Sequence, residues 1–265
     1  MSFLKKLFGG QQPNQLNTNA PTVSTFTREG VRAQYKSKEY FDSKYVSIQK
    51  RLESDLAFYQ KLIDERGEHY DKYKLSEFII GRDYEMLFDA GFSRGDNVLS
   101  LKPFVEKATY HFIQAWHLEE DNYSQALSIL SLGVLLDVDK TYFDQIDALF
   151  RKDHYNDYLL SYLLRYKVSD TIIVPTLLFP DDDALKSLMD ITTSSIPEAQ
   201  KKMNHFLSNQ WYTRQNLESL YNAHLSDDKY LGYWSYEAAA ITKIMKLDDS
   251  SYKDNAYYPY DLMRL

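Results

Sequence analysis

Two pairs of aspartates have a spacing that can build a shared binding surface. Asp144 and Asp147 are three residues apart, and Asp153 and Asp157 are four residues apart. If the chain is helical there, the two members of each pair lie on the same face. Carboxylates grouped in this way attract the cationic groups of a partner. We therefore predict a negative patch on two consecutive helices; a solvated surface that only promotes solubility is the alternative.

Aromatic and acidic residues close to these pairs extend the predicted patch. Tyr155 and Tyr158 lie beside the second pair, and tyrosine is enriched among the residues that dominate binding energy. The acidic run Asp181, Asp182 and Asp183 follows a proline. Carboxylates are favourable at the N-terminus of a helix, so a capping role and a contact role are both open for this run.

No residues have the spacing of a known catalytic or metal site. The sequence lacks cysteine and contains no HxxxH, HExxH, GxxxxGK[ST], GxGxxG or GxSxG motif. Carboxylates that are adjacent in the sequence, such as Asp227 and Asp228, point in different directions on a helix and make poor acid/base pairs. We therefore expect a protein that is not an enzyme and that needs neither a cofactor nor a metal ion.

The acidic charge is confined to one half of the chain. Residues 1–120 hold equal numbers of basic and acidic side chains, whereas residues 121–265 hold 14 Lys/Arg against 21 Asp/Glu, which accounts for the whole net charge of −7. An acidic half repels nucleic acid and anionic lipid and attracts basic partners. We expect a basic protein partner, no nucleic acid and no stable membrane association.

The start of the chain carries no signal for export. The apolar part of MSFLKKLF (residues 1–8) is too short for a signal peptide, and no apolar run reaches 18 residues. Together with the absence of cysteine, this predicts a cytoplasmic location. Residues 1–8 have two interpretations: a frayed terminus, or a short helix that touches a membrane.

The composition and the hydrophobic pattern predict an all-α fold. Only 9 glycines and 7 prolines occur in 265 residues, too few for the many tight turns of an all-β protein. A long first helix is expected from Arg28 to about Arg66, with Gly67 as its stop. A second helix is expected over 71–90, with Leu75 and Ile79 among its inward residues and Gly91 past its end. A third is expected over 98–116, with one apolar stripe made of Val98, Leu101, Val105, Ala108, Phe112 and Trp116.

We predict three regions along the chain, of which two are helical and packed together. Residues 1–27 are rich in Gln, Asn, Thr and Pro and form a flexible segment. Residues 28–118 form an N-terminal bundle of long helices. Residues 119–265 form a C-terminal domain of several helices, and the acidic residues 119–121 mark the boundary.

The second half contains shorter predicted helices. Residues 123–136 are apolar on nearly every face and predict a central buried helix; further helices are expected over 141–150 and 153–166. Residues 171–179 (TIIVPTLLF) contain a proline that argues against a central strand, so we expect a buried connection or helix end. Ser195, followed three residues later by a glutamate, has the pattern of a capping box.

A run of aromatic and small residues near the C-terminus has the most distinctive pattern in the chain. It reads GYWSYEAAA, then LDDSS, then YYPYDL. The alanines let a helix approach its neighbour closely, and the final segment cannot be helical before its proline, which predicts an extended strap. We expect these residues to hold the fold together: Trp211, Gly232, Tyr233, Trp234, Glu237, Asp248, Asp249, Ser250, Tyr258, Pro259, Tyr260 and Asp261.

This C-terminal pattern resembles the PoNi-type immunity proteins, the bacterial antidotes of PoNe-type DNase toxins that are delivered by contact-dependent systems such as type VI secretion. The resemblance is strongest over residues 205–262, where rare aromatics recur in order at fixed spacing. The helical run from Arg28 to Trp116 looks like the N-terminal domain of the same family by pattern only.

The resemblance implies an all-α, non-enzymatic protein that neutralises a nuclease toxin. A DNA-cleaving toxin needs a basic cleft for phosphates, so the predicted acidic, tyrosine-containing patch becomes a hypothesis for the toxin-binding surface. The alternative is a helical adaptor or scaffold protein that binds another basic partner.

Overall fold

The computed structural model describes residues 30–67, 73–116, 122–215 and 220–265. These residues form ten α-helices and no strand, which confirms the all-α prediction. The helices are α1 Lys38–Arg66, α2 Tyr73–Arg94, α3 Val98–Ala115, α4 Asn122–Leu135, α5 Lys140–Lys152, α6 Tyr158–Arg165, α7 Asp183–Thr193, α8 Ile196–Asn209, α9 Trp211–Arg214 and α10 Tyr236–Met245. Short 3-10 turns cover Ala223–Leu225 and Tyr260–Arg264. The predictions for residues 1–27 and for the boundary at 119–121 lie outside the described residues.

The first helix begins later than predicted and ends where predicted. It starts at Lys38 and not at Arg28, because the side chain of Ser37 accepts a hydrogen bond from the backbone N–H of Tyr40 and caps the helix. Residues 30–36 precede it without regular structure. At the other end Gly67 has a φ of 77° and its N–H donates to the carbonyl of Ile63.

The second helix is longer than predicted, and part of its predicted inward face is exposed. It continues through Gly91 to Arg94, and Leu75 and Ile79 are exposed. The reason is that the face of α2 that contains Gly81 and Gly91 lies close to α3. A Cβ atom on Gly81 would lie 3.2 Å from the Cβ of His111 on α3, and one on Gly91 would clash with a buried leucine of α3. Because this face packs closely against α3, the side of α2 that carries Leu75 and Ile79 faces solvent.

Helices α3 and α4 form as predicted, and α4 is the buried central helix that its sequence indicates. Asn97 caps α3 by accepting hydrogen bonds from the N–H groups of Leu99 and Ser100. The predicted α3 stripe is buried, from Val98 to Trp116. Helix α4 buries nearly all of its side chains and contacts α3, α6 and α10. Its apolar character on every face is thus explained by neighbours on several sides.

The connections in the second half differ from the predictions in three places. Helix α6 begins at Tyr158, so residues 153–157 link α5 to α6 and are not helical. Residues 171–179 are an irregular connection, but this connection is largely exposed and not buried. Ser195 precedes α8 without a capping hydrogen bond from its hydroxyl. The C-terminal segment is non-helical before Pro259, as predicted, and then turns into the 3-10 turn.

We expect Gly133→Ala to destabilise the fold by about 1–3 kcal/mol, because overpacking a rigid core has this order of cost. A Cβ atom on Gly133 of α4 would lie 2.8 and 2.9 Å from two ring atoms of the buried Phe143. Urea denaturation measures the change. Gly81→Ala is the matched control: its Cβ contact of 3.2 Å is looser and alanine favours a helix, so a smaller loss is expected. Equal losses would contradict this account.

Candidate functional site

The aspartates of the first predicted pair have different environments. Asp144 is exposed on α5 and forms an ion pair with Lys140. Asp147, one turn further along, is buried. Its carboxylate accepts hydrogen bonds from the hydroxyl of Thr171 at 2.9 Å and from Nε of Arg151 at 2.7 Å. The pair therefore does not form one exposed face.

The prediction that Asp153 and Asp157 share a helix face is wrong. Asp153 lies at the C-terminal end of α5 and accepts a hydrogen bond from the indole N–H of Trp116 at 2.6 Å. Asp157 has an extended backbone and caps the N-terminus of α6. The cause is Asp157 itself, because a capping aspartate takes a non-helical conformation and separates the two segments.

The carboxylate of Asp157 is buried and accepts hydrogen bonds from three elements. It receives the backbone N–H of Leu160 in the first turn of α6 at 3.0 Å, the hydroxyl of Tyr123 on α4 at 3.2 Å, and the backbone N–H of Leu178 at 2.8 Å. Burial raises the pKa of Asp157, and the hydrogen bonds oppose that rise. Asp157 thus joins α4, α6 and residues 171–179.

The two predicted aromatic anchors are also buried. The ring of Tyr155 packs at 5.0 Å from Trp116 and 5.3 Å from Phe150. The hydroxyl of Tyr158 is hydrogen-bonded to that of Thr192 at 2.8 Å. The buried hydroxyl of Tyr155 has no hydrogen-bond partner among the described residues. Neither tyrosine has the exposed ring that the sequence analysis assumed.

Three of the predicted residues meet at a cavity. It has a volume of about 310 Å³ and lies between α5, α6 and the start of the 171–179 connection. Its wall contains Asp147, Tyr155 and Asp157. The other residues that line it are Phe150, Arg151, Asn156, Ser161, Leu164, Thr171, Ile172 and Val174. The structure therefore brings these residues together around a pocket rather than on an open acidic patch.

An exposed aliphatic segment, residues 172–178, borders this cavity. Ile172 is 80% exposed, and Ile173 and Leu178 are also exposed. The segment is held through its backbone: the N–H of Val174 donates to the hydroxyl of Ser161, and the carbonyl of Thr176 accepts from an α6 N–H. This surface was not predicted, because an apolar run of this kind is typical of buried structure. The proline within the run was the signal against regular buried structure.

The acidic run that follows the segment performs one of the two roles left open by the sequence, the capping of a helix. Asp182 caps α7 through the N–H groups of Ala184 and Leu185 and pairs with Arg214, so the capping prediction is confirmed for this residue. Asp181 and Asp183 are exposed. Asp170, which the sequence analysis did not select, is exposed at the other end of the segment.

The C-terminal motif packs against the end of α2. Gly232 has a φ of 121°, a conformation that side chains rarely adopt. The indole N–H of Trp234 donates to the hydroxyl of Ser93 at 2.9 Å, and that hydroxyl also bonds the carbonyl of Leu231. The indole N–H of Trp211 donates to the carbonyl of Tyr233 at 2.7 Å.

The remaining motif residues join the C-terminal segment to the start of the described chain and make contacts within that segment. Asp261 forms an ion pair with Arg32 at 2.5 Å, which joins the two ends of the described chain. The hydroxyl of Tyr258 donates to Asp249, and Asp248 accepts from the N–H of Ser250. Glu237 and Pro259 are buried, and Tyr260 packs under the guanidinium of Arg264.

Asp89 and Tyr236 form another contact between α2 and the motif. The hydroxyl of Tyr236 donates to the carboxylate of Asp89 at 2.6 Å. Burial raises the pKa of Asp89 to about 7, Glu85 adds to the rise, and the Tyr236 hydroxyl and Arg82 oppose it. The folded protein thus binds a proton here in a pH range where an ordinary aspartate has lost it.

The comparison with protein-family models decides the family. Residues 31–148 match the N-terminal model of the PoNe immunity proteins (PoNi), and residues 155–262 match the C-terminal model of the same family. The chain belongs to the PoNi immunity proteins. The two models divide this PoNi chain between residues 148 and 155, a stretch that covers the end of α5 and the start of the connection to α6.

Solved structures also contain this fold. The crystal structure of protein PA2201 from Pseudomonas aeruginosa is similar with a TM-score of 0.66 and 16% identity, over 90% of the PoNi chain and 91% of that chain. This likeness concerns the fold alone. No curated protein matches the PoNi chain.

None of the described helices is both long and apolar enough to cross a membrane. Among the described residues no group of three or more His, Asp or Glu side chains could hold a metal ion.

We expect Asp157→Ala to destabilise the PoNi fold by about 2–4 kcal/mol, because it removes a helix cap and leaves buried donors without an acceptor. Urea denaturation with circular dichroism measures the loss. Asp144→Ala is the matched control on the surface and should change stability by no more than about 0.5 kcal/mol. A small loss for Asp157→Ala would contradict its role as a junction.

We expect Asp89→Asn to stabilise the protein above neutral pH. A carboxyl whose folded pKa is raised contributes stability while protonated, and this stability is lost as the pH rises from about 4 to about 7. Asparagine still accepts from Tyr236 but carries no charge. At pH 8 the variant should therefore gain about 1–3 kcal/mol of unfolding free energy over the wild type, and little at pH 4.

The measurement is urea denaturation of both proteins between pH 4 and 8. The matched control is Asp64→Asn on the exposed surface of α1, for which we expect no such pH-dependent gain. A difference between Asp89→Asn and wild type that stays constant with pH would contradict the buried-carboxyl account.

Proposed function

We propose that this PoNi chain neutralises a PoNe-type nuclease toxin by binding it, and that residues 170–183 form the centre of the contact surface. The observation that carries this proposal is the exposed aliphatic segment 172–178 with exposed carboxylates at both of its ends. Asp170 precedes the segment, and Asp181 and Asp183 follow it. Apolar residues at the centre and charged residues at the rim are the usual anatomy of a protein interface.

The charge of the rim matches the chemistry of the expected partner. A nuclease holds a phosphate backbone with Lys and Arg side chains. Carboxylates presented to that groove attract the toxin at long range, which accelerates the encounter, and they compete with phosphate for the same cations. The excess of acidic residues in the second half of the chain supports this interpretation.

The aliphatic side chains supply binding affinity that carboxylates at the rim cannot provide. Exposed ion pairs contribute little affinity because water and salt screen them. Ile172, Ile173 and Leu178 are exposed in the unbound protein, and burying such groups contributes about 25 cal/mol for each Å² of apolar surface. The segment is therefore suited to provide affinity, and the acidic rim is suited to provide rate and selectivity.

In this proposal, some of the residues selected from the sequence contact the toxin, and the others hold the contact surface in position. Asp144, Asp181 and Asp183 are exposed and available to a partner. Asp147, Asp157, Tyr155, Tyr158 and Asp182 are largely buried and hold α5, α6, α7 and the segment in position. Asp153 is partly exposed at the end of α5. The protein acts by occupying the toxin, in the cytoplasm where the target DNA lies, and performs no chemical reaction.

Co-expression with a candidate cognate PoNe-type toxin tests the proposed function. We expect survival of the host, and a stable complex on size-exclusion chromatography when a catalytically inactive toxin is used. Continued killing together with no complex would count against neutralisation by binding. Survival without a complex would point to another mode of protection.

Reversing the rim charges tests the contact surface. In the variant Asp170→Lys/Asp181→Lys/Asp183→Lys we expect the association rate with the toxin to fall about 10-fold or more at low salt, because electrostatic steering is lost. Stopped-flow measurements at several ionic strengths give the rate and its salt dependence.

The matched control reverses three exposed carboxylates on α1, in the variant Glu53→Lys/Asp64→Lys/Glu65→Lys, and changes the net charge equally. We expect it to slow association less. Equal effects of the two variants would show that only net charge matters and would relocate the interface.

A further inference from the structure

The cavity beside the exposed segment has two kinds of wall. Phe150, Leu164, Ile172 and Val174 provide apolar surface, whereas Asp147 and Asp157 provide carboxylates. A side chain with an apolar stem and a charged tip is complementary to such a cavity, since the stem of Lys or Arg packs on apolar surface while its head reaches polar groups. The volume of about 310 Å³ lies at the lower end of sites that enclose small ligands.

The charges around the cavity favour a cation. Two carboxylates line it, and Arg151 is the single basic residue among its lining residues. Arg151 contacts Asp147, but its side chain is about half exposed and lies at the surface. Asp157 is bonded by neutral donors only, so no cation neutralises it within the described residues. Each carboxylate oxygen has more than one acceptor position.

The hydroxyl of Tyr155 is a second and independent sign of a missing partner. Tyr155 lines the cavity, and its hydroxyl is buried without a hydrogen-bond partner. Burial raises the pKa of Tyr155, and the negative charge of Asp157 adds to that rise, which places the hydroxyl within the field of this carboxylate. Buried polar atoms are normally satisfied, and a cationic N–H donor would satisfy this oxygen together with the carboxylates.

We propose that the cavity receives one basic side chain, Arg or Lys, of the bound toxin. Its stem lies against Ile172 and Val174, and its cationic tip lies near Asp147 and Asp157. This inference rests on the proposed function and makes it more specific. The exposed segment provides the surrounding contact, and the cavity provides a single anchor point at the centre, where removing one contact costs most.

A tethered cation tests the anchor. Asn156 lines the cavity and is exposed, so in Asn156→Arg a guanidinium of the protein itself can occupy the pocket and compete with the toxin. We expect this variant to bind the inactive toxin about 10-fold or more weakly in isothermal titration calorimetry. Asp147→Asn, which removes one carboxylate charge, should weaken binding by about 10-fold as well.

Gln145→Arg is the matched control, because Gln145 is exposed on α5 and is not among the residues that line the cavity. It adds the same charge to the same region, and we expect less than a threefold effect. Ile172→Ser removes exposed apolar surface at the cavity. Leu75→Ser, on the exposed face of α2, is its matched control, because it removes exposed apolar surface elsewhere. Thermal melting of each variant confirms that it is folded.

The outcomes separate this inference from the proposed function. Equal weakening by Asn156→Arg and Gln145→Arg would overturn the anchor, and so would unchanged affinity in both Asn156→Arg and Asp147→Asn while the wild type binds. If the wild type forms no complex with the toxin, both the proposed function and the inference fall. If folded Asn156→Arg binds weakly and Gln145→Arg binds normally, the cavity is the anchor site.

Discussion

A single buried carboxylate determines the geometry of the candidate site. Asp157 accepts donors from α6, from α4 and from the backbone of the exposed segment, so three parts of the chain meet at one side chain. The cost of burying this charge is visible in its raised pKa and is offset by the hydrogen bonds. The bond from the N–H of Leu178 to Asp157 helps to fix the position of the exposed segment, because residues 172–178 have no regular secondary structure of their own.

The C-terminal motif performs a different task at the other side of the fold. Trp234 and Leu231 bind to Ser93 near the end of α2, and Asp261 binds to Arg32 in the irregular segment before α1. The last residues of the chain therefore close the structure onto its beginning. This explains why the motif is rich in aromatic residues: rings fill the space between three segments, and their polar tips fix the register.

The sequence was sufficient for the elements whose pattern is periodic. The α3 stripe and the all-round apolar α4 were predicted correctly, because both patterns depend on burial against several neighbours. The inward positions of Leu75 and Ile79 on α2 were predicted wrongly, because the glycines that let α3 approach outweigh these apolar residues. The hydrophobic periodicity of one helix does not show how closely a neighbouring helix can approach it.

The candidate site was predictable only in part. Spacing selected Asp147, Tyr155 and Asp157, and these residues do come together, but around a cavity and not on an open face. An aspartate before an apolar run can cap a helix or continue one, and the choice depends on tertiary donors such as the N–H of Leu178. The exposed segment could not be recognised from its composition, because the same apolar residues are typical of a buried strand.

The way in which residues 172–178 are attached has an evolutionary consequence. Backbone groups of Val174, Thr176 and Leu178 make the bonds that hold the segment, so the shape of the loop depends little on which side chains Ile172 and Ile173 carry. Such positions can mutate freely without unfolding the scaffold. In the proposed contact surface, substitutions on this loop would therefore change the choice of target while the carboxylate beneath it is kept.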